Sequence, residues 1–253
     1  MLPIKFTNFF FIALIICFTT CLYAKNLSMK TALNSKNAQS LKPNTKSSST
    51  TKISSADKEL IVRCHNKLRN DVALQLTKYK LPKASNMRQV YWDEEIAKKA
   101  QDHANKKVFN HSSSTYRKTK VFSYLGENLY SSSSSGTPVV DWDRAINKWY
   151  NEIANYPKVS SSPKYISSGS GGEIGHFTQV IWAETYAIGC GVSTMSKGSL
   201  LYVCEYGPGG NVRDKTIYQA GNLNCPSGTS KSSEFAGLCC LPNKCTSKQY
   251  LLK

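Results

Sequence analysis

Common catalytic signatures are missing from this sequence. It has no Gly-x-Ser-x-Gly elbow, which excludes the usual serine-hydrolase nucleophile turn, and no His-Glu-x-x-His zinc helix. No phosphate-binding loop is present either. Gly169-Ser170-Gly171-Gly172 lacks the following Lys and the preceding strand, so it reads as a connector. Acid is scarce as well: 16 Asp and Glu stand against 33 Lys and Arg, for a formal charge of +17 over 253 residues. Such an excess resembles a nucleic-acid binder until its distribution is considered.

The N-terminal apolar run, residues 9–18, is ten residues long, too short for the roughly 20 that span a bilayer. With Lys5 before it and Ala24 as the expected cut, residues 1–24 read as a signal peptide rather than an uncleaved anchor. The protein is thus expected to be secreted and extracellular. Residues 25–55 contain six Lys, no acid and no aromatic residue. They cannot bury enough apolar surface to offset chain entropy, so a disordered tail is expected. Lys5 and the tail removed, about +10 remains on residues 56–253. The tail is a solubility linker, or a weak attractor of anionic glycans or membranes. Lys without interleaved aromatics gives no support for nucleic acid.

The folded body begins near Ser55. Asp57 and Glu59 suit a first helical turn, and Leu60, Ile61, Cys64, Leu68 and Val72 recur at helical spacing. Asp93 is a good N-cap for a second helix presenting Ile96, Ala97, Ala100, Ala104 and Val108. A third follows Pro138, where Trp142, Ala145, Ile146, Trp149 and Ile153 form one stripe with Glu152 at its edge. Segments 187–195 and 200–206 read as strands joined by a five-residue loop. That loop places Cys190 opposite Cys204, close enough for a disulfide. Residues 223–253 hold Cys225, Cys239, Cys240 and Cys245 among Gly, Pro, Ser and Asn. They read as a short cysteine-rich tail of open connectivity, and Cys64 has no evident partner.

Of the four histidines, His65, His103 and His111 read by default as structural or solvated. His176 stands out because a Gly-rich loop leads into Gly175-His176-Phe177-Thr178-Gln179-Val180-Ile181-Trp182, with the imidazole at an open helix start. This segment resembles a signature of the CAP superfamily: cysteine-rich secretory proteins, venom allergens and plant pathogenesis-related proteins. Leu201-Tyr202-Val203-Cys204-Glu205-Tyr206-Gly207-Pro208-Gly209-Gly210-Asn211-Val212 resembles a second. Gly126-Glu127-Asn128-Leu129-Tyr130 and His65-Asn66-x-x-Arg69 resemble two more, all in the family's order over about residues 57–220.

The resemblance implies an α+β fold, a three-layer α-β-α sandwich with a central antiparallel sheet, over residues 56–222. It also implies a cleft lined by His111, Glu127, Glu152 and His176. Neutral His111 and His176 suit Zn²⁺ or another divalent cation, weakly held and lost as the imidazoles protonate. Alternatively the four residues form a hydrogen-bonded tetrad that ties three segments together. Some relatives bind sterols or fatty acids, which draws attention to Tyr156, Pro157, Tyr165 and Ile166; these residues either contact lipid or pack their own loop. The resemblance implies a non-enzymatic extracellular interaction protein of venom-allergen or immune-modulating type, with an extracellular protein partner. A metal-dependent hydrolase or protease is the rival. Glu205 departs from the family by replacing a small neutral polar residue. No cysteine lies between His103 and Glu127, where many relatives have one. Asn26 and Asn110 head glycosylation sequons, the second beside His111.

Overall fold

The computed structural model describes residues 53–245 apart from 134, 135 and 170. They belong to the unit formed by residues 45–253. The expected signal peptide, most of the Lys-rich tail and the Asn26 sequon lie outside the described residues.

Helix α1 spans Ser55–Ala73 and opens on a reciprocal cap. The Asp57 amide donates to Ser54 Oγ at 3.1 Å, and Asp57 Oδ2 accepts the Ser54 amide at 3.0 Å. After the short strand β1 (Tyr91–Trp92), Asp93 caps α2 (Glu94–Ala104) by accepting the Ile96 amide at 2.9 Å. Ile96, Ala97, Ala100 and Ala104 are buried as the stripe requires. Val108 is not part of it: α2 ends at Ala104 and Val108 is exposed. Strand β2 (Gly126–Ser132) leads to α3 (Trp142–Tyr150), capped by Asp141, and a 3₁₀ turn (Asn151–Asn155) that buries Ile153. Helix α4 (Gly175–Val180) precedes β3 (Ala187–Thr194) and β4 (Leu200–Gly207).

The main sheet has the order β1-β3-β4-β2. Its β3–β4 and β4–β2 pairs are antiparallel, whereas β1 joins β3 in parallel. The central sheet is therefore mixed rather than wholly antiparallel, because β1 reaches β3 from a separate part of the chain. Helix α2 packs on β3 and β4, α1 packs on α3, and α3 and α4 meet β2. Small residues allow the closest approach. A Cβ on Gly189 or Gly191 would overlap the α2 backbone at Ile96–Ala97 or Ala100–Gln101.

The pleat divides the sheet's side chains by parity. Leu129, Leu201 and Val203 meet Ala100 and Ala104 on the α2 side. Tyr202 meets Trp142 edge-on and Tyr206 meets His65 on the other side. Cys190 and Cys204 are directly paired in the register and bridged.

The C-terminal segment contains β5 (Ser230–Lys231) and β6 (Cys239–Cys240), with disulfides Cys225–Cys239 and Cys240–Cys245. It is docked on the body: the Cys239 amide donates to Met87 O at 2.8 Å, and the Gln89 amide donates to Cys239 O at 2.7 Å. Leu238 and Cys239 are fully buried there. Cys64 is disulfide-bonded as well, so the expectation that it lacks a partner does not hold.

Candidate functional site

Polar residues of the His-Asn-x-x-Arg segment build the support beneath the site. His65 Nδ1 bonds Ile61 O at 2.8 Å and its Nε2 bonds the Tyr206 hydroxyl at 3.0 Å. Burial pushes its pKa down to about 4, against the smaller opposing effect of the Ile61 carbonyl. Asn66 donates to Val90 O and accepts the Val90 amide, at 2.9 and 2.8 Å. Its side chain thereby holds the approach to β1 against α1.

Glu127, at the start of β2, collects four donors. His103 Nδ1 and the Ser112 hydroxyl reach Oε2, each at 2.7 Å. His111 Nδ1 and the Ser112 amide reach Oε1 at 2.7 and 3.0 Å. Burial alone would raise this carboxyl, but the histidine and serine donors overcome it and hold the group below the usual carboxylate range. The Glu127 side chain is fully buried while that of His111 is 54% exposed.

Glu152 forms the second anchor from the 3₁₀ turn after α3. Its Oε1 accepts His176 Nδ1 at 2.6 Å. Its Oε2 accepts the backbone amides of His176 and Phe177 at 2.9 and 3.2 Å. One carboxylate therefore satisfies first-turn amides of α4 and orients the imidazole at its open end. Asn211 ties the same turn from the other side, donating to Gly175 O at 2.8 Å and accepting the Thr178 hydroxyl at 2.7 Å.

A pocket of about 200 Å³ lies beside the Glu127 anchor, lined by His111, Glu127, Arg117, Tyr124, Gln179 and Asn211 among others. Gly126 also lines it, and a Cβ there would displace the end of the Gln179 side chain. The Asn128 amide group links the two halves by donating to His176 O at 3.0 Å.

The four expected residues form two carboxylate–imidazole pairs, His111 with Glu127 and His176 with Glu152. Among the described residues, the groups whose donor atoms all lie within 4.8 Å are His103, Glu127 and Glu205, and Glu152, Glu173 and His176. Neither contains both His111 and His176. His103, read from the sequence as structural, is buried against Glu127 and shares its carboxylate with His111. A carboxylate can only accept, so Nδ1 carries the proton in His111 and His176, and in the neutral imidazole Nε2 is the nitrogen with the lone pair. That arrangement fits a divalent cation that takes nitrogen and oxygen ligands.

The lipid-loop residues separate in their roles. Tyr156 is buried edge-on against Phe177 and donates its hydroxyl to Lys164 O at 2.6 Å. Tyr165 meets Trp182 edge-on, and Pro157 is half-buried. Ile166 alone of the four is exposed. Asn110 is exposed, and its sequon serine is the same Ser112 that holds Glu127.

These features coincide with a family model described as the cysteine-rich secretory protein family, CAP, which matches residues 62–206. The chain belongs to the CAP family. A protein described as CRISP/Allergen/PR-1 from Trittame loki is 42% identical over 181 residues, covering 69% of this chain and 44% of that protein. Scoloptoxin SSD976 from Scolopendra dehaani is 42% identical over 183 residues, covering 72% and 83% respectively. The chain thus spans less than half the length of the first relative and most of the second. Among solved structures, BmVAL-1 aligns with TM-score 0.64 and 27% identity over 75% of this chain and 96% of that one. NaASP2 with Zn²⁺ aligns with TM-score 0.62 and 33% identity over 74% and 96%. This CAP domain shares their fold. All seven cysteines among the described residues are disulfide-bonded, which fits a secreted protein.

Proposed function

We propose that this is a secreted, non-enzymatic CAP protein that acts by extracellular interaction and carries a divalent cation in its His/Glu cleft. The observation that carries the reading is the paired geometry: His111 on Glu127 and His176 on Glu152, each with Nδ1 engaged and Nε2 left as a ligand. A cation there would cross-link the loop after α2 to the start of α4 and stiffen the cleft mouth. The name of the Zn²⁺-bound structural relative supports the choice of metal.

Support for an interaction role comes from the segment that carries His111. Val108, Phe109, Val121 and Tyr124 account for half of the eight large apolar side chains exposed among the described residues. A glycan on Asn110 would stand between Phe109 and His111 and regulate access to this surface. The described cysteines are bridged, so none of them offers a free thiol nucleophile. Sterol or fatty-acid binding loses support from Tyr156, which is occupied in packing.

Zinc titration of the secreted chain tests the metal reading. Uptake of at least one equivalent is expected, with the zinc bound falling by one equivalent in the His111→Ala/His176→Ala variant. An unchanged amount of bound zinc in that variant would overturn the cleft assignment. Peptide-library digestion with and without a chelator tests the non-enzymatic reading, which chelator-sensitive cleavage lost in His176→Ala would overturn. Capture of the same extracellular partner by wild type but not by Phe109→Ser supports the interaction surface.

A further inference from the structure

The row of side chains that faces α2 from β4 runs Leu201, Val203, Glu205. The first two sit in an apolar cluster with Ala100, Ala104 and Leu129. The third places a carboxyl group in the same dry layer. Glu205 is 0% exposed, and neither of its carboxyl oxygens has a hydrogen-bond partner. Lys99, Arg117 and Lys106 act on it through space, but none donates to it.

An unpaired carboxylate in such a place is costly. The sheet register increases that cost. Glu205 is the direct cross-strand partner of Glu127, whose carboxylate is held ionised by its four donors. Something positive between them would relieve both. His103, on the last turn of α2, completes the set: its Nδ1 donates to Glu127 Oε2 at 2.7 Å, and a cation taking that nitrogen would release its proton to solvent. One donor atom from each of the three residues falls within 4.8 Å of the others, and all three residues are buried.

We propose that His103, Glu127 and Glu205 form an interior site for a divalent first-row transition cation, separate from the cleft ligands His111 and His176. The ligand set, one imidazole and two carboxylates, suits Zn²⁺ or Mn²⁺. Its neutralising charge accounts for two acidic side chains facing each other in a dry layer. A proton on Glu205 is the competing solution and is less complete. Burial and the Glu127 charge do push this carboxyl up to about 8. Yet a neutral carboxyl still leaves its carbonyl oxygen buried without a donor. The proposal shares Glu127 with the cleft reading and depends on none of its other members.

The experiment titrates the metal-stripped, secreted chain with zinc chloride by calorimetry and with manganese chloride by electron paramagnetic resonance. The His111→Ala/His176→Ala variant removes the cleft ligands, so one equivalent of tight binding should remain in it. Adding Glu205→Gln to that background should weaken the remaining binding at least about tenfold. No binding in the double variant, or unchanged affinity on adding Glu205→Gln, overturns the interior site. The cleft reading fails separately, if the double variant binds as much zinc as wild type. Should Glu205→Gln not fold, anomalous diffraction at the zinc edge from the unsubstituted protein decides. A peak among His103, Glu127 and Glu205 supports the site, and its absence at zinc saturation overturns it. A protonated-carboxyl infrared band that persists in the zinc-saturated protein and vanishes in Glu205→Gln also overturns it.

Discussion

Arg69 offers the sharpest test of how this fold holds its site. It lies on α1 with 0% exposure, so its charge has been taken wholly out of water. Every donor has a destination. Nε and Nη2 both reach Arg88 O, at 2.9 and 2.6 Å. Nη1 reaches Val180 O and Trp182 O at 2.8 and 2.9 Å. Nη2 also reaches Ala183 O and Thr185 O at 3.3 and 2.9 Å. These carbonyls belong to the end of α4, the turn between α4 and β3, and the approach to β1. The guanidinium therefore satisfies the carbonyl end of the helix whose other end carries His176, where a positive charge also complements the helix dipole.

Replacing Arg69 by Met keeps the stem and removes all donors; Trp182 O and Ala183 O keep the Thr185 and Arg88 amides, and Arg88 O, Val180 O and Thr185 O are left short of a partner. At about 1–3 kcal/mol for each unsatisfied group the gross loss is large. Relief of the arginine's own desolvation offsets part of it, as does entry of water. A net destabilisation of about 3–5 kcal/mol follows, the range seen when one side of a buried charged contact is removed. For a domain of this size, about 2–4 °C per kcal/mol converts this to a fall of roughly 10 °C in Tm. Thermal denaturation followed by circular dichroism at pH 7 measures it. Arg69→Lys should recover less than half, because an ammonium lacks the planar fork that reaches several carbonyls at once. A Met variant melting within about 3 °C of wild type would refute the reasoning: the carbonyls would then be satisfied without the guanidinium.

Three further outcomes are expected. His65 stays neutral in the fold with its pKa near 4 but protonates at its ordinary value of 6.5 once unfolded. Stability is therefore lost as pH falls from 6.5 towards 4, by about 3 kcal/mol at 1.36 kcal/mol per unit. Urea midpoints at pH 7 and 5 should show the loss, and His65→Gln should flatten it. Gly189→Ala should cost about 1–3 kcal/mol by pushing α2 off β3, read as a lowered Tm; an unchanged Tm would mean the helix is not seated so closely. Replacing Cys190 and Cys204, 14 residues apart, by Ser should lower stability by about 3 kcal/mol in the loop-entropy picture, and no change in the urea midpoint would count against that picture here.

Local pattern made much of the framework legible. The stripe from Ile96 to Ala104, the Asp93 cap and the five-residue connection that sets Cys190 opposite Cys204 each follow from spacing within one element or hairpin. The cleft did not follow from spacing. Glu152 meets His176 across 24 residues and Glu127 meets His111 across 16, and only family resemblance placed those four residues together. His103 and Glu205 were within reach of the same periodicities. His103 follows Ile96 and Ala100 at steps of seven and three, on the buried stripe of α2. Glu205 continues the alternation of Leu201 and Val203. An ionisable residue falling on an apolar stripe is a conflict between local pattern and burial, and such conflicts tend to mark functional sites.

That conflict also explains why the register matters here beyond stability. The α2-facing side of β2 and β4 passes from an apolar end, Leu129 with Leu201 and Val203, to an ionic end, Glu127 with Glu205. Both ends arise from one pleat. A slip of one residue in β4 would turn Leu201, Val203 and Glu205 together to the opposite face, exchanging them with Tyr202 and Tyr206 and separating Glu205 from Glu127. The Cys190–Cys204 bridge fixes β4 against β3 at one directly opposed pair. The glycines on either side of Cys190 hold α2, and with it His103, close to the sheet. The disulfide and the glycines, structural features by themselves, thus set where the two carboxylates and the imidazole meet.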